Sequence, residues 1–149
     1  DSLVRILPAY QEQFRSNLGL LIRELQERSA PIEQAVNAAP ETPVFFNRPV
    51  YQYLSDRFRM NGVSLDWDAR ETPTNAQLEE FDALRSDHPA AWFIWDSPPT
   101  PEAIAALQER GLQSIVFAPC GNRPETGDLL TTFDTNGVEL RRVYGVDGD

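Results

Sequence analysis

Lysine is absent from this 149-residue chain: all 13 basic residues are arginine, against 23 acidic residues and a net charge of -10. That balance argues against a nucleic-acid-binding face, because phosphate would be repelled and Arg141–Arg142 is the only adjacent basic pair. The acidic, lysine-free composition fits either a salt-adapted host or GC-biased codon usage. A single cysteine, Cys120, rules out an internal disulfide and leaves the redox compartment unreadable from cysteine pairing. No apolar run approaches the ~20 residues that cross a bilayer, so no membrane span is expected. Asp1 to Leu7 lacks the basic n-region and long h-region of a signal peptide, as a mature exported protein would after trimming. Glycine-rich phosphate loops, dinucleotide fingerprints and serine elbows are also missing. The one histidine, His88, ends a helix beside Pro89, where a structural or surface role is the plain reading. Cys120 has no histidine near it to act as base, which makes it a poor nucleophile. These absences argue against an enzyme.

What is present is an alternation of apolar strands and amphipathic helices. Tyr10, Phe14, Leu18, Leu21, Ile22 and Leu25 recur at helical spacing, predicting one long helix over about 9–30 with Pro8 in its first turn. Pro31 should end or kink it, with Ile32 to Ala38 adding a further turn or two. After Pro40 a strand–helix pattern repeats four times. Val44 to Phe46 is a strand, and Asn47 is placed to cap a helix through Val50, Tyr51, Leu54 and Phe58, stopped by Gly62. Val63 to Trp67 reads as an edge strand. Thr74 and Gln77 make a capping box for a helix through Leu78, Phe81 and Leu84. Ala90 to Trp95 is a buried strand, and Thr100–Pro101 opens a helix through Ile104 and Leu107 that Gly111 stops. Ser114 to Phe117 is the fourth strand. Asp128 caps a last helix carrying Leu129, Leu130, Phe133, Leu140 and Val143, which Gly137 weakens by about 1 kcal/mol relative to alanine. The expected fold is three-layer α/β, a four-stranded mainly parallel sheet with helices on both faces, preceded by the long N-terminal helix. Residues 1–39 form the helical segment and 40–149 the α/β unit.

Right-handed crossovers bring all the strand C-termini to one edge, where an α/β sheet holds its ligand. That edge receives Asn47 and Arg48, Asp68 to Glu71, Asp96 to Pro99, and Ala118 to Gly127. Asn47, Arg48, Asp96 and Asp128 are the candidate ligand-binding residues. The two carboxylates suit a hard cation with oxygen ligands. Their plainer roles are accepting backbone N–H bonds, Asp96 in the Ser97–Pro99 turn and Asp128 at its helix start. Arg48 at the first turn of a helix suits an anion, or else forms an internal salt bridge to Asp96 or Asp68. The sequence 121–128, GNRPETGD, is Gly-rich but has no lysine of a phosphate loop and is sufficiently explained as a surface turn.

The runs NRPVYQYL, WFIWDSPPTPEAIAALQERGLQSIVF and APCGNRPETGDLL together resemble the C-terminal lobe of the solute-binding proteins of zinc- and manganese-type ABC transporters. YQEQFRSNLGLLIRELQER, Tyr10 to Arg28, resembles the start of the helix joining the two lobes of that family. The resemblance implies a periplasmic or extracellular protein that delivers zinc or manganese to an ABC permease. It also implies a histidine or glutamate ligand after the first strand and an aspartate after the last. Arg48 and Ala118 occupy those places here. Arginine stays cationic and cannot donate a lone pair to a metal, and alanine has no ligating atom. Two functional classes follow: a divergent transport-type binding lobe accepting an anion or an uncharged chelate, or an interaction module derived from that lobe. The long helix, if alone, should pair with a separate N-terminal lobe or with a second copy.

Overall fold

Each central strand alternates its side chains between two apolar cores, and that alternation builds the three layers. The computed structural model describes residues 2–121 and 127–146, so most of the 121–128 turn lies outside the described residues. Four strands, β1 (Pro43–Phe46), β2 (Asn61–Ser64), β3 (Trp92–Trp95) and β4 (Gln113–Val116), form one sheet in the order β2–β1–β3–β4. All three pairings are parallel. Val44, Phe46, Ile94 and Ile115 point to one face and join Ile32, Val36, Leu140 and Val143 in a core. Phe45, Phe93 and Trp95 point to the other, against Trp67, Phe81 and Leu107. Helices α2 (Gln11–Ala38) and α6 (Leu129–Val143) cover the first face, with the short α3 (Gln52–Phe58) beside them; α4 (Asn75–Asp87) and α5 (Pro101–Gln108) cover the second.

Local signals place most helix starts. Thr74 and Gln77 close a reciprocal capping box on α4, Thr100 accepts from Ala103 N at the start of α5, and Asp128 accepts from Thr131 N at the start of α6. Three helix boundaries differ from expectation, and the edge strand expected over Val63 to Trp67 runs Asn61–Ser64 instead. The N-terminal helix is divided into α1 (Ser2–Ile6), a 3-10 turn at Pro8–Tyr10, and α2. Pro31 sits inside α2, which continues to Ala38. Its local cost of about 3 kcal/mol is opposed by Ile32, Ala35 and Val36, all buried against the sheet. The third difference is α3, which begins at Gln52 without a side-chain cap and ends at Arg59, whose φ of 55° reverses the chain. Asn47 therefore caps no helix. Gly62 stops none either; it lies in β2 under the ring of Phe46, where a Cβ would collide. His88 fulfils its structural reading, with Nε2 at 3.0 Å from Val44 O and its ring edge-on to Phe45.

Candidate functional site

In the order β2–β1–β3–β4 the chain leaves β1 toward one side of the sheet and β3 toward the other. The crevice between their C-terminal ends is the topological switch point, where open α/β sheets hold ligands. Asn47 and Arg48 follow β1 and Asp96 follows β3, so three of the four candidate residues meet there.

Asn47 is the centre of this edge. Its side chain is fully buried, at 0% exposure. The amide Nδ2 donates to Trp67 O and to Asp96 Oδ1, both at 3.0 Å, and Oδ1 accepts from Asp96 N at 2.9 Å. The Asn47 backbone continues the ladder, donating to Ile94 O at 3.0 Å and accepting from Trp67 N at 2.7 Å. One side chain thus ties the ends of β1 and β3 to the loop after β2. Asp96 accepts from the Asn47 amide and from Ser97 Oγ at 3.2 Å, rather than from backbone N–H groups of its own turn. Its second oxygen lies 3.7 Å from Arg48 Nη1, with the Arg48 side chain 42% exposed and that of Asp96 15% exposed. Of the two ion pairs expected for Arg48, the one to Asp96 forms. It is long, and at such a half-open position worth little.

Asp68, at the same edge, is clasped by Arg70 through Nε at 3.1 Å, Nη2 at 2.8 Å and the backbone N at 2.9 Å. Those bonds hold its carboxyl well below the usual carboxylate range, and Arg48 adds a smaller effect in the same direction. Beneath the crevice, buried Tyr51 donates to Phe117 O at 2.6 Å. Burial, followed by the negative charge of Asp96, pushes its phenol far above the ordinary value. Tyr51 thus stays a neutral donor that pins the end of β4.

The other two positions of interest lie on the β4 side. Ala118 carries no ligating atom, and its backbone is clamped by Asn136 of α6: Ala118 N donates to Oδ1 at 3.0 Å, and Nδ2 donates to Ala118 O at 2.8 Å. Asn136 is 2% exposed and escaped the sequence reading. The signal was there: it falls three residues after Phe133 and four before Leu140, on the apolar stripe of α6, where a polar side chain needs a buried partner. Asp128 accepts from Thr131 N at 2.9 Å and Thr131 Oγ1 at 3.0 Å, and these bonds, the backbone one first, lower its pKa. Among the described residues no hydrogen bond or ion pair joins Asp128 to Asn47, Arg48 or Asp96. Cys120, at a φ of 57°, turns its thiol back to Ala118 O at 3.4 Å. Burial raises its pKa, the wrong direction for a thiolate ligand.

These donor sets do not fit a closed divalent-metal site. Asp96 is committed to Asn47, Ser97 and Arg48 and Asp128 to its helix cap, while the guanidinium of Arg48 places positive charge in the crevice. Among the described residues, no three histidine, cysteine, aspartate or glutamate side chains cluster as metal ligands would. No helix among them is long and apolar enough to cross a membrane.

The family model described as "Zinc-uptake complex component A periplasmic" (ZnuA) matches residues 1–142. No curated protein matches significantly. Among solved structures, the Zn(II)-bound ZnuA-like domain of Streptococcus pneumoniae AdcA aligns with a TM-score of 0.84 at 16% identity, covering 97% of this chain and 57% of that one. Full Zn(II)-bound AdcA of the same organism gives 0.84 at 18% identity, covering 100% of this chain and 34% of that one. The metal-dependent lipoprotein YcdH of Bacillus subtilis gives 0.82 at 14% identity, covering 95% and 56%. At these identities the structures establish the fold, and this chain spans little more than half of the single-domain relatives. With the family match extending over nearly all its length, the chain belongs to the ZnuA family, periplasmic solute-binding proteins of metal-type ABC transporters rather than enzymes.

Proposed function

We propose that this chain is the C-terminal lobe of a divergent solute-binding protein, presenting its solute site at the β1–β3 switch point without the family's metal ligands. The observation that carries the reading is Arg48. It stands where the resemblance puts a histidine or glutamate ligand, half-exposed and only loosely paired at 3.7 Å from Asp96. A guanidinium so placed favours an anion or an uncharged chelate over a bare divalent cation. Asn47 and Asp96 set its surroundings. The partner would be an ABC permease, in the periplasm or outside the cell, with residues 1–39 as the interlobe helix and 40–149 as the lobe. Thermal shift against Zn²⁺, Mn²⁺ and common oxyanions, with elemental analysis, tests this. An oxyanion or chelate shift abolished by Arg48→Ala is expected. A metal shift of several degrees surviving Asp96→Ala combined with Asp128→Ala would overturn it.

A second reading, an interaction or structural module, draws on the N-terminal helices. Leu3, Ile6, Leu18, Leu21 and Ile22 are 43–72% exposed, an apolar face suited to a separate N-terminal lobe or a second copy. Absence of any ion-induced shift, with a dimer in light scattering, favours this reading.

A further inference from the structure

β4 is an edge strand whose outward backbone groups are only partly satisfied. Gln113 N donates to Ala91 O and Phe117 N to Trp95 O, each at 2.8 Å, and the register pairs Phe93 with Ser114 and Trp95 with Val116. In a parallel ladder the N–H and C=O of one residue face the same neighbour, and alternate residues face opposite neighbours. Gln113, Ile115 and Phe117 therefore face β3, while Ser114, Val116 and Ala118 face outward. Ala118 is already served by the amide of Asn136, which donates and accepts as an adjacent strand would. Among the described residues, no hydrogen bond engages the outward N–H and C=O groups of Ser114 and Val116.

These groups lie in a groove of about 800 Å³ between α5 and α6, with Pro99 and Ile104 on one wall and Thr132, Thr135 and Glu139 on the other. β2, the opposite edge, differs: three of its four residues are simply exposed. Edge strands left open invite pairing. The charges select the partner. Asp96 and Glu139 are the only charged residues among those described that line the groove, and each contacts an arginine outside it, Arg48 and Arg142. A second copy docked by β4–β4 pairing would bring these carboxylates face to face on chains of net charge -10, which disfavours it.

We propose that the β4 edge is a docking site for an extended, basic segment of a partner protein, which adds a fifth strand beside Ser114 and Val116. Main-chain bonds to these two residues provide the pairing, Ile104 and Pro99 receive an apolar side chain, and Glu139, in a groove lined by no basic residue among those described, attracts the basic ones. The strand pairing itself rests on Ser114 and Val116 and needs neither Arg48 nor any ion, so its fate is separable from that of the solute reading.

The test is titration of the 149-residue chain with a capped peptide of alternating valine and threonine bearing arginine at both ends, followed by ¹⁵N NMR. The amides of Ser114 and Val116 should shift. N-methylation of the two central peptide amides should weaken binding about tenfold, and Glu139→Gln, a change at a partly buried wall residue, should weaken it several-fold. A peptide ending in glutamate should bind less well than the arginine-ended one. The proposal fails if Ser114 and Val116 do not move at millimolar peptide, or if the N-methylated peptide binds equally. It also fails if light scattering shows a dimer whose Ser114 and Val116 amides are already protected from exchange without peptide, since a second copy then occupies the edge.

Discussion

Replacing Asn47 by alanine should be among the most damaging single changes at the switch point. The side chain makes three hydrogen bonds, to Trp67 O at 3.0 Å, Asp96 Oδ1 at 3.0 Å and Asp96 N at 2.9 Å, from a position at 0% exposure. Truncation orphans the Trp67 carbonyl and the Asp96 N–H, each at about 1–3 kcal/mol when buried. Asp96 also loses a donor but keeps Ser97 and the loose contact with Arg48. Some water reaches Asp96, so the lower half of the summed range applies, about 2–4 kcal/mol. At about 2–4 °C per kcal/mol for a chain of this size, Tm should fall by about 10 °C. Urea unfolding followed by tryptophan fluorescence should show a reduced midpoint with an unchanged slope. Asn47→Asp supplies a control of the same shape. It retains the acceptor for Asp96 N but sets a carboxylate beside that of Asp96, so the introduced group has a folded-state pKa above its unfolded one. The folded state then binds more protons, and the variant's deficit should be smallest near pH 4 and grow as pH rises through that raised pKa. A loss below about 1 kcal/mol for Asn47→Ala, or a pH-independent deficit for Asn47→Asp, would refute the idea that this side chain organises the site.

Tyr51 has its phenol raised by burial and by Asp96, and Tyr144 is pushed up to about 12 by burial. Stability from groups raised this way is present below the unfolded value near 10 and is lost as pH rises through the folded values; alkaline denaturation beginning above about pH 10 is expected, and Tyr51→Phe with Tyr144→Phe should flatten it. The two phenols part company at neutral pH. Tyr51→Phe should cost about 1–2 kcal/mol by removing the donor to Phe117 O. Tyr144 OH is buried without a partner among the described residues, so Tyr144→Phe should be neutral or raise stability by up to about 1 kcal/mol in chemical denaturation. Two glycines should respond with opposite signs to alanine. Gly62→Ala drives a Cβ into the ring of Phe46 and should cost about 1–3 kcal/mol. Gly137→Ala meets only Ile32 Cγ1 at an ordinary 3.7 Å and should stabilise by about 1 kcal/mol, measured by thermal melts of both variants.

Where the information was local, the residues disclosed it. Thr74 with Gln77, Thr100 and Asp128 announce helix starts because a cap is a bond between residues three apart. The strand cores Val44–Phe46 and Trp92–Trp95 announce themselves as short apolar runs, and strand–helix alternation dictates a parallel sheet with its loops on one edge. From that alone came the placement of Asn47, Arg48 and Asp96 together.

Partners far apart in sequence are set by packing, and there the residues were silent. Asn47 looked like a cap because asparagine after a strand usually is one. Only the neighbouring β3 and the loop after β2 turn it into the buried tie between three segments. Asn136 gave a hint as a polar residue on an apolar stripe, but its partner, Ala118, lies 18 residues earlier. Pro31 should end or kink a helix by its own chemistry, yet burial of Ile32, Ala35 and Val36 carries α2 past it through the turns read over Ile32 to Ala38. Caps and periodicity, being local, were enough for the fold class and for bringing Asn47, Arg48 and Asp96 to one edge of the sheet, whereas only the resemblance marked Arg48 and Ala118 as ligand places. Packing settled which carboxylate Arg48 meets, what Asn47 and Asn136 hold, and which two strands form the edges of the sheet. Those depend on contacts that exist only once distant segments are packed together.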